Sequence, residues 1–342
     1  MPKHSILLIY TGGTIGMISD PESGALKAVD FEHLNEQIPE LANFDLNIAV
    51  HSFDKALDSS NMGPEHWKHI ARVIFSEYDS YDGFVILHGS DTMAYTASAL
   101  SFMLEGLGKP VILTGSQLPI GIIRTDGKEN LITAIEIAAD KEDGVSKVQE
   151  VCVYFEYSLY RGNRTHKISA EDFEAFESPN LAPMAEAGVH ITYNVPALYR
   201  SPVPELMLRD ELDASVGLLT VYPGMPKAYY KSILGVPELK IVILQSYGSG
   251  NAPTDPEFIA ALRSFIDSGK VILNITQCEE GSVDLGKYET SRHLLNIGVI
   301  SGYDMTLEAA LTKSMFLLGQ SDDIDWINEQ LQSSLRGELT RP

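Results

Sequence analysis

The chain has 342 residues, 44% of them hydrophobic and 21% charged, with 47 acidic against 25 basic side chains and a formal charge of -22. That excess of negative charge repels phosphate backbones and anionic membrane surfaces at long range, so nucleic acid is an unfavourable partner. No apolar run reaches the roughly 20 residues that a membrane span requires, and a chain this long exceeds the ~250–300 residues at which single cores stop growing, so two domains are expected. Pro2, Lys3 and His4 lead straight into a strand, so no secretory leader is expected either. Cys152 and Cys278 lie in or just after apolar segments, neither with a second ligand at metal-binding spacing. They read as buried or partly buried thiols of a cytoplasmic protein.

In chain order, Ile6, Leu7, Leu8, Ile9 and Tyr10 form a continuous apolar run, the pattern of a strand buried on both faces of a parallel sheet. Thr11, Gly12, Gly13 and Thr14 follow at once, and paired glycines permit a sharp turn that leaves a hydroxyl at the sheet edge. From Ile18 to Asp30 the turn-rich Asp20, Pro21, Glu22, Ser23 and Gly24 predict a loop, placed either to cover the Thr14 turn or simply to lie on the surface. The cluster Asp58, Ser59, Ser60 and Asn61 precedes Pro64, which suits a first helical position, and Trp67, Ile70, Ala71, Ile74 and Phe75 then recur at helical spacing. Capping alone would explain such a cluster.

A second buried strand, Tyr81 to His88, ends in Gly89, Ser90, Asp91 and Thr92 before an alanine-rich helix. A third, Pro110 to Leu113, ends in Thr114, Gly115, Ser116 and Gln117; a helix carrying Leu131, Ile132, Ile135 and Ala138 leads to a fourth at Val151 to Phe155. This alternation predicts a parallel sheet covered on both faces. Tyr160 to Lys167 is a dense polar run that reads as a loop, and Pro179, Pro183, Pro196, Pro202 and Pro204 punctuate a stretch without periodicity. The alternation resumes at Val216 to Val221, Ile241 to Leu244 and Val271 to Ile275, and closes with helices near Met305 to Leu318 and Ile324 to Leu335. The expectation is an α/β protein of two open parallel-sheet, Rossmann-like domains: a larger one over residues 1–195, a linker over 196–215 and a smaller one over 216–342.

Ligands of open parallel sheets bind beyond the carboxyl ends of the strands, and Thr14, Ser90 with Asp91, and Gly115 to Gln117 all occupy such ends. Two hydroxyls and a carboxylate among glycine turns that offer backbone N–H groups point to nucleophilic attack on a carbonyl. The glycine-flanked nucleophile of α/β-hydrolases is absent and no Ser-His-Asp order is evident, which leaves Lys167 as the alternative base. On composition alone the plainer reading holds, since a loop lysine is ordinarily solvated and a serine after a glycine ordinarily caps a helix. Gly12, Gly13 and Gly16 do not fit a dinucleotide fingerprint, and His66 and His69 share a helix without a third ligand. Neither a cofactor nor a metal is expected.

Thr11-Gly12-Gly13-Thr14-Ile15-Gly16 and His88-Gly89-Ser90-Asp91-Thr92-Met93-Ala94-Tyr95 resemble the two signature motifs of the bacterial-type L-asparaginases, nearest the cytoplasmic type I branch. Leu113 to Gln117, Tyr160 to Lys167, Ser246 to Pro253, Ile275 to Cys278 and Leu335 to Leu339 extend the resemblance over essentially the whole chain. It implies hydrolysis of L-asparagine to L-aspartate and ammonia in a homodimer or homotetramer, with Thr14 as nucleophile and Ser90, Asp91 and Lys167 in support. Ser59, Ser60, Gly89 and Gly115 are then the substrate-binding candidates. Gln245, Asn251 and Cys278 correspond to a region where type I relatives bind regulatory asparagine, but Gln245 replaces an arginine of some of them, which argues against activation at that site. Ser90 stands where the family usually has threonine, and residues 15–29 hold no tyrosine where many relatives carry a catalytic one. A glutaminase, a tRNA amidotransferase subunit of the same fold, and a non-catalytic asparagine sensor are the competing readings.

Overall fold

The computed structural model describes residues 3–19, 26–28, 38–286 and 289–341, which divide into two compact units between Asp210 and Glu211. In the first unit, strand β1 (His4–Gly12) is followed by β2 (Leu46–Leu57), helix α1 (Pro64–Glu77), β3 (Gly83–Leu87), α2 (Met93–Met103), β4 (Val111–Thr114), α3 (Gly127–Ala139) and β5 (Val151–Phe155). Then come the short strands β6 (Ser158–Arg161), β7 (His166–Lys167), β8 (Phe176–Glu177), β9 (Ala185–Ala187) and β10 (Ile191–Tyr193).

Among the described residues one sheet runs β10-β9-β6-β5-β4-β3-β1-β2. The neighbours from β2 to β5 are parallel, and β6, β9 and β10 add to the β5 edge antiparallel. Ile6, Leu8, Val85 and Ile112 pack against Leu131, Ala134, Ile135 and Ala138 of α3 in one core. Leu7, Ile9, Phe84 and Ile86, which strand alternation turns to the other face, are buried as completely. Burial on both faces is the physical reason these strands read as unbroken apolar runs.

Three stretches depart from the sequence expectation. The edge strand β2 is one that the sequence pattern does not mark; its Leu46, Ile48 and Val50 alternate with Asn47, Ala49 and His51 and pack only partly against the core. Residues 158–193 form β6 to β10 where a polar loop and an exit from the domain were expected, because these two- to four-residue strands are too short to show a period. Within residues 18–30, Ile18 and Ser19 pair with Lys27 and Leu26 in a short antiparallel ladder that also joins Met17 to Ala28. The remainder of the expected covering loop lies outside the described residues.

The second unit holds a wholly parallel sheet, β11 (Val216–Thr220), β12 (Ile241–Ser246), β13 (Val271–Thr276) and β14 (Ile300–Ser301). Helices α4 (Lys227–Leu234), α5 (Pro256–Asp267), α6 (Glu289–Asn296), α7 (Leu307–Gln320) and α8 (Ile324–Leu331) accompany it. Leu219, Val242, Leu244 and Ile272 form its core with Phe258 and Leu262 of α5. In the segment expected as a linker, Met207 and Leu208 instead belong to the first unit, where they pair antiparallel with Glu105 and Leu104. No described helix is long and apolar enough to cross a membrane.

Candidate active site

The carboxyl ends of β1, β2 and β3 meet because glycine lets their turns touch. Gly13 has φ +90°, and a Cβ there would stand 2.5 Å from Gly89 N. A Cβ on Gly89 would in turn stand 2.5 Å from Ser59 Oγ. Any side chain at either position would drive the turns apart. Thr92, just after Ser90 and Asp91, donates its hydroxyl hydrogen to the Ser59 carbonyl at 2.7 Å, fastening the second turn to the third. Gly115, after β4, lies against the His88 carbonyl.

Thr14 is half-buried at the start of a short 3-10 turn, Thr14–Gly16. Gly16 N–H donates to Gly13 O at 3.3 Å, and the Tyr10 hydroxyl donates to Gly16 O at 3.0 Å. Burial pushes the Tyr10 phenol up to about 12. Tyr10 therefore braces the turn as a neutral donor, and does not serve as a base for Thr14.

Lys167 reaches the same edge from the pair β7 and β8, in which it sits opposite Phe176. Phe176 packs on Phe155, at the end of β5, with ring centroids 5.0 Å apart. The lysine side chain is only 17% exposed, and its Nζ donates to Ser90 Oγ at 2.9 Å and to Asp91 Oδ1 at 2.7 Å. Because Lys167 supplies a proton to Ser90 Oγ, the hydroxyl's own hydrogen is free to point elsewhere, and it donates to Gln117 Oε1 at 3.4 Å. Gln117 is itself fixed: its N–H donates to Asp126 Oδ2 at 2.8 Å and its Nε2 to Asp172 O at 2.9 Å. A cleft of about 920 Å³ opens beside Gln117, walled by Leu118, Ile122, Arg124, Asp172 and Phe173.

A hydroxyl at a glycine turn, next to a turn whose own hydroxyl is ordered by a lysine amine from far along the chain that also holds the adjacent carboxylate, is the equipment of acyl transfer. The family model described as "Asparaginase, N-terminal" matches residues 5–199, and "Glutaminase/Asparaginase C-terminal domain" matches residues 215–331. The chain belongs to the asparaginase family. It is 46% identical to L-asparaginase 1 of Escherichia coli, over 99% of each chain. Its fold superposes on L-asparaginase I from Vibrio cholerae with a TM-score of 0.90 at 42% identity, covering 99% of this chain and 100% of the other. It is also 34% identical to a glutamyl-tRNA(Gln) amidotransferase subunit of Thermoplasma volcanium, over 98% of this chain and 81% of that one.

The remaining candidates of this asparaginase-family chain are placed as follows. Ser59 is buried against Gly89, whereas Ser60 is exposed and gives its hydroxyl hydrogen to Asp58 Oδ1 at 2.8 Å. His66, half-buried, accepts the Gly63 N–H on its Nδ1 at 3.2 Å at the start of α1. Gln245 and Cys278 lie at the carboxyl ends of neighbouring strands of the second unit, with Asn251 on the following turn. Gln245 Oε1 accepts from Thr220 Oγ1 at 2.7 Å, and Tyr247 and Asn251 exchange two backbone bonds of 2.8 Å. Cys278 is exposed, not the buried or partly buried thiol expected, because it follows β13 into the edge turn. Most of the segment where relatives carry a loop tyrosine, residues 20–25 and 29, lies outside the described residues.

Two residues of the site are not singled out by the sequence. Gln117 reads only as part of a turn, and His88 only as the end of a strand. His88 is fully buried directly before Gly89, so its Nδ1–H donates to the Gly89 carbonyl at 2.7 Å, since a carbonyl can only accept. Its Nε2 then accepts from Thr96 Oγ1 at 2.9 Å, and Thr96 Oγ1 accepts from Trp67 Nε1 at 3.1 Å. An ionisable residue closing an apolar run is the available signal. Burial lowers the imidazole from its ordinary 6.5 to about 4, so the ring is neutral in the folded protein.

The unfolded chain binds a proton at this position below pH 6.5 while the folded chain resists it down to about pH 4. Stability from His88 is therefore complete above pH 6.5 and is lost as pH falls through that interval, by about 3 kcal/mol in all. Urea midpoints measured from pH 7.5 to 4.5 are expected to fall less steeply in His88→Gln than in the wild type. Parallel slopes would contradict the buried neutral ring.

Proposed function

We propose that the chain hydrolyses the side-chain amide of L-asparagine to L-aspartate and ammonia, in the cytoplasm, as a homodimer or homotetramer and without a cofactor. Thr14 supplies the oxygen that attacks the amide carbon; ammonia leaves as the adduct collapses to an aspartyl ester, and water then cleaves that ester to release L-aspartate and restore the Thr14 hydroxyl. Lys167 and Asp91 order Ser90 so that a proton can pass through the two hydroxyls to the departing nitrogen. Backbone N–H groups of the Gly89 and Gly115 turns face the developing negative oxygen. Ser59, Ser60 and Asp91 hold the carboxylate and ammonium of the amino acid.

The observation that carries this reading is the Lys167 amine bonded at once to Ser90 and Asp91, beside the turn that bears Thr14. The relative that acts with tRNA is a poor guide to substrate for this chain, because a net charge of -22 opposes a polyanion. Initial ammonia release by the purified protein is expected to be faster from L-asparagine than from equimolar L-glutamine, and hyperbolic in asparagine. Preference for glutamine would make it a glutaminase, and calorimetric binding of asparagine without ammonia over hours would make it a sensor. A sigmoid curve would assign a regulatory role to the edge carrying Gln245, Asn251 and Cys278.

A further inference from the structure

Helix α3 begins beside the catalytic edge, and the polar side chains of its first turns are not spent on the helix. Asp126 occupies the N-cap position, where a carboxylate ordinarily accepts N–H groups of the first helical turn. It caps nothing. Its Oδ2 instead accepts the Gln117 N–H at 2.8 Å and its Oδ1 the Leu118 N–H at 3.0 Å. One turn further along, Asn130 is wholly buried. Its Nδ2 donates to the Gly115 carbonyl at 3.1 Å and to Asp126 Oδ2 at 3.3 Å, and its Oδ1 accepts the Glu156 N–H at 3.0 Å. A carbonyl only accepts and an N–H only donates, so these partners leave the amide one orientation.

A buried amide costs free energy unless its bonds are made, and an apolar side chain packed on the sheet would carry no such demand. What this amide holds is the turn after β4. Between them Asn130 and Asp126 tie down Gly115, Gln117 and Leu118, and the Leu118 carbonyl accepts from Ser116 Oγ at 2.6 Å and Thr125 Oγ1 at 3.0 Å. The turn meets the reacting groups directly. Gly115 lies against the His88 carbonyl, and Gln117 Oε1 accepts from Ser90 Oγ at 3.4 Å. At the helix start, a Cβ on Gly127 would stand 3.1 Å from Ser116 Cβ and 3.2 Å from Ile15 Cγ1, so α3 is packed on the Thr14 turn as well.

We propose that Asn130 is a positioning residue of the hydrolysis: with Asp126 it fixes the Gly115–Leu118 turn, and through Gln117 the Ser90 hydroxyl, without touching substrate. This rests on the reaction proposed for the first unit. The test compares Asn130→Leu and Asp126→Asn with Glu129→Gln in the full chain. Glu129 lies on the same helix but accepts from Tyr154 and Thr133, not from the turn. With the folded fraction read by near-UV circular dichroism, kcat per folded molecule on L-asparagine should fall about 10²-fold in Asn130→Leu, the scale of a misplaced reacting group. Asp126→Asn, which retains an acceptor for one of the two N–H groups, should fold where the first variant does not, and lose about 10-fold. KM should change less than 3-fold in both, and Glu129→Gln should match the wild type. Hydrogen exchange at the amides of residues 115–118 should be about 10-fold faster in the two variants and unchanged in Glu129→Gln. Wild-type kcat per folded molecule in Asp126→Asn and in any folded Asn130→Leu, or an equal loss in Glu129→Gln, would overturn the proposal. If the wild type released no ammonia, the assigned reaction would fail instead, and amide exchange alone would decide: selective acceleration at residues 115–118 supports the positioning role, and unchanged exchange overturns it.

Discussion

Thr14→Ala is expected to slow ammonia release from L-asparagine by ~10⁴-fold or more, the scale on which loss of an attacking group acts in hydrolases with a covalent step. The melting temperature should stay within a degree or two of the wild type, because little of the turn depends on this side chain. Its shape is fixed by the positive φ of Gly12 and Gly13, by the Gly16 N–H on Gly13 O, and by the Tyr10 hydroxyl on Gly16 O. A rate loss accompanied by a large fall in stability would point to a scaffold role. Near wild-type release would remove Thr14 from the chemistry. Thr14→Ser, which keeps an oxygen but not the methyl, should recover most of the loss.

The second large effect is expected at Lys167. Lys167→Met keeps the packed stem and removes the amine that orders Ser90, so turnover should drop by ~10³-fold, within the range of general acid–base groups. The stability cost should be small. Asp91 is 67% exposed and is left solvated, not stranded in the core, and exposed ion pairs contribute at most ~1 kcal/mol. The effect should fall mainly on kcat, with a smaller rise in KM from a less constrained Asp91. If KM rose while kcat stayed constant, Lys167 would be a substrate-binding group and not part of proton transfer.

The parts of the fold legible in the sequence are those buried on both faces. β1, β3, β4 and β5 announce themselves because nothing polar interrupts Ile6 to Tyr10, Phe84 to Leu87, Val111 to Leu113 or Val151 to Phe155. β2 and the antiparallel strands β6, β9 and β10 do not, since each buries one face in part and the last three are no longer than four residues. The site divides along the same line. Thr14, Ser90 and Asp91 are accessible to sequence reasoning because strand ends converge in a parallel sheet. Lys167 is not accessible from composition, where a polar run reads as solvated loop; the family motif marks it, and only the pairing of β7 with β8 over Phe155 explains how it reaches Ser90. Gln117 and His88 act through hydrogen bonds to groups 27 residues away or next in the chain, and no periodicity carries that information.

The most direct test of one shared catalytic site is a double-variant cycle on kcat/KM for L-asparagine with Thr14→Ala, Lys167→Met and the two combined. Residues that serve the same proton and the same attacking oxygen lose their contribution together, so the double variant should be no slower than the slower single variant, to within about 3-fold. If the two losses instead multiply, towards ~10⁷-fold, Thr14 and Lys167 act independently and do not share one reaction centre.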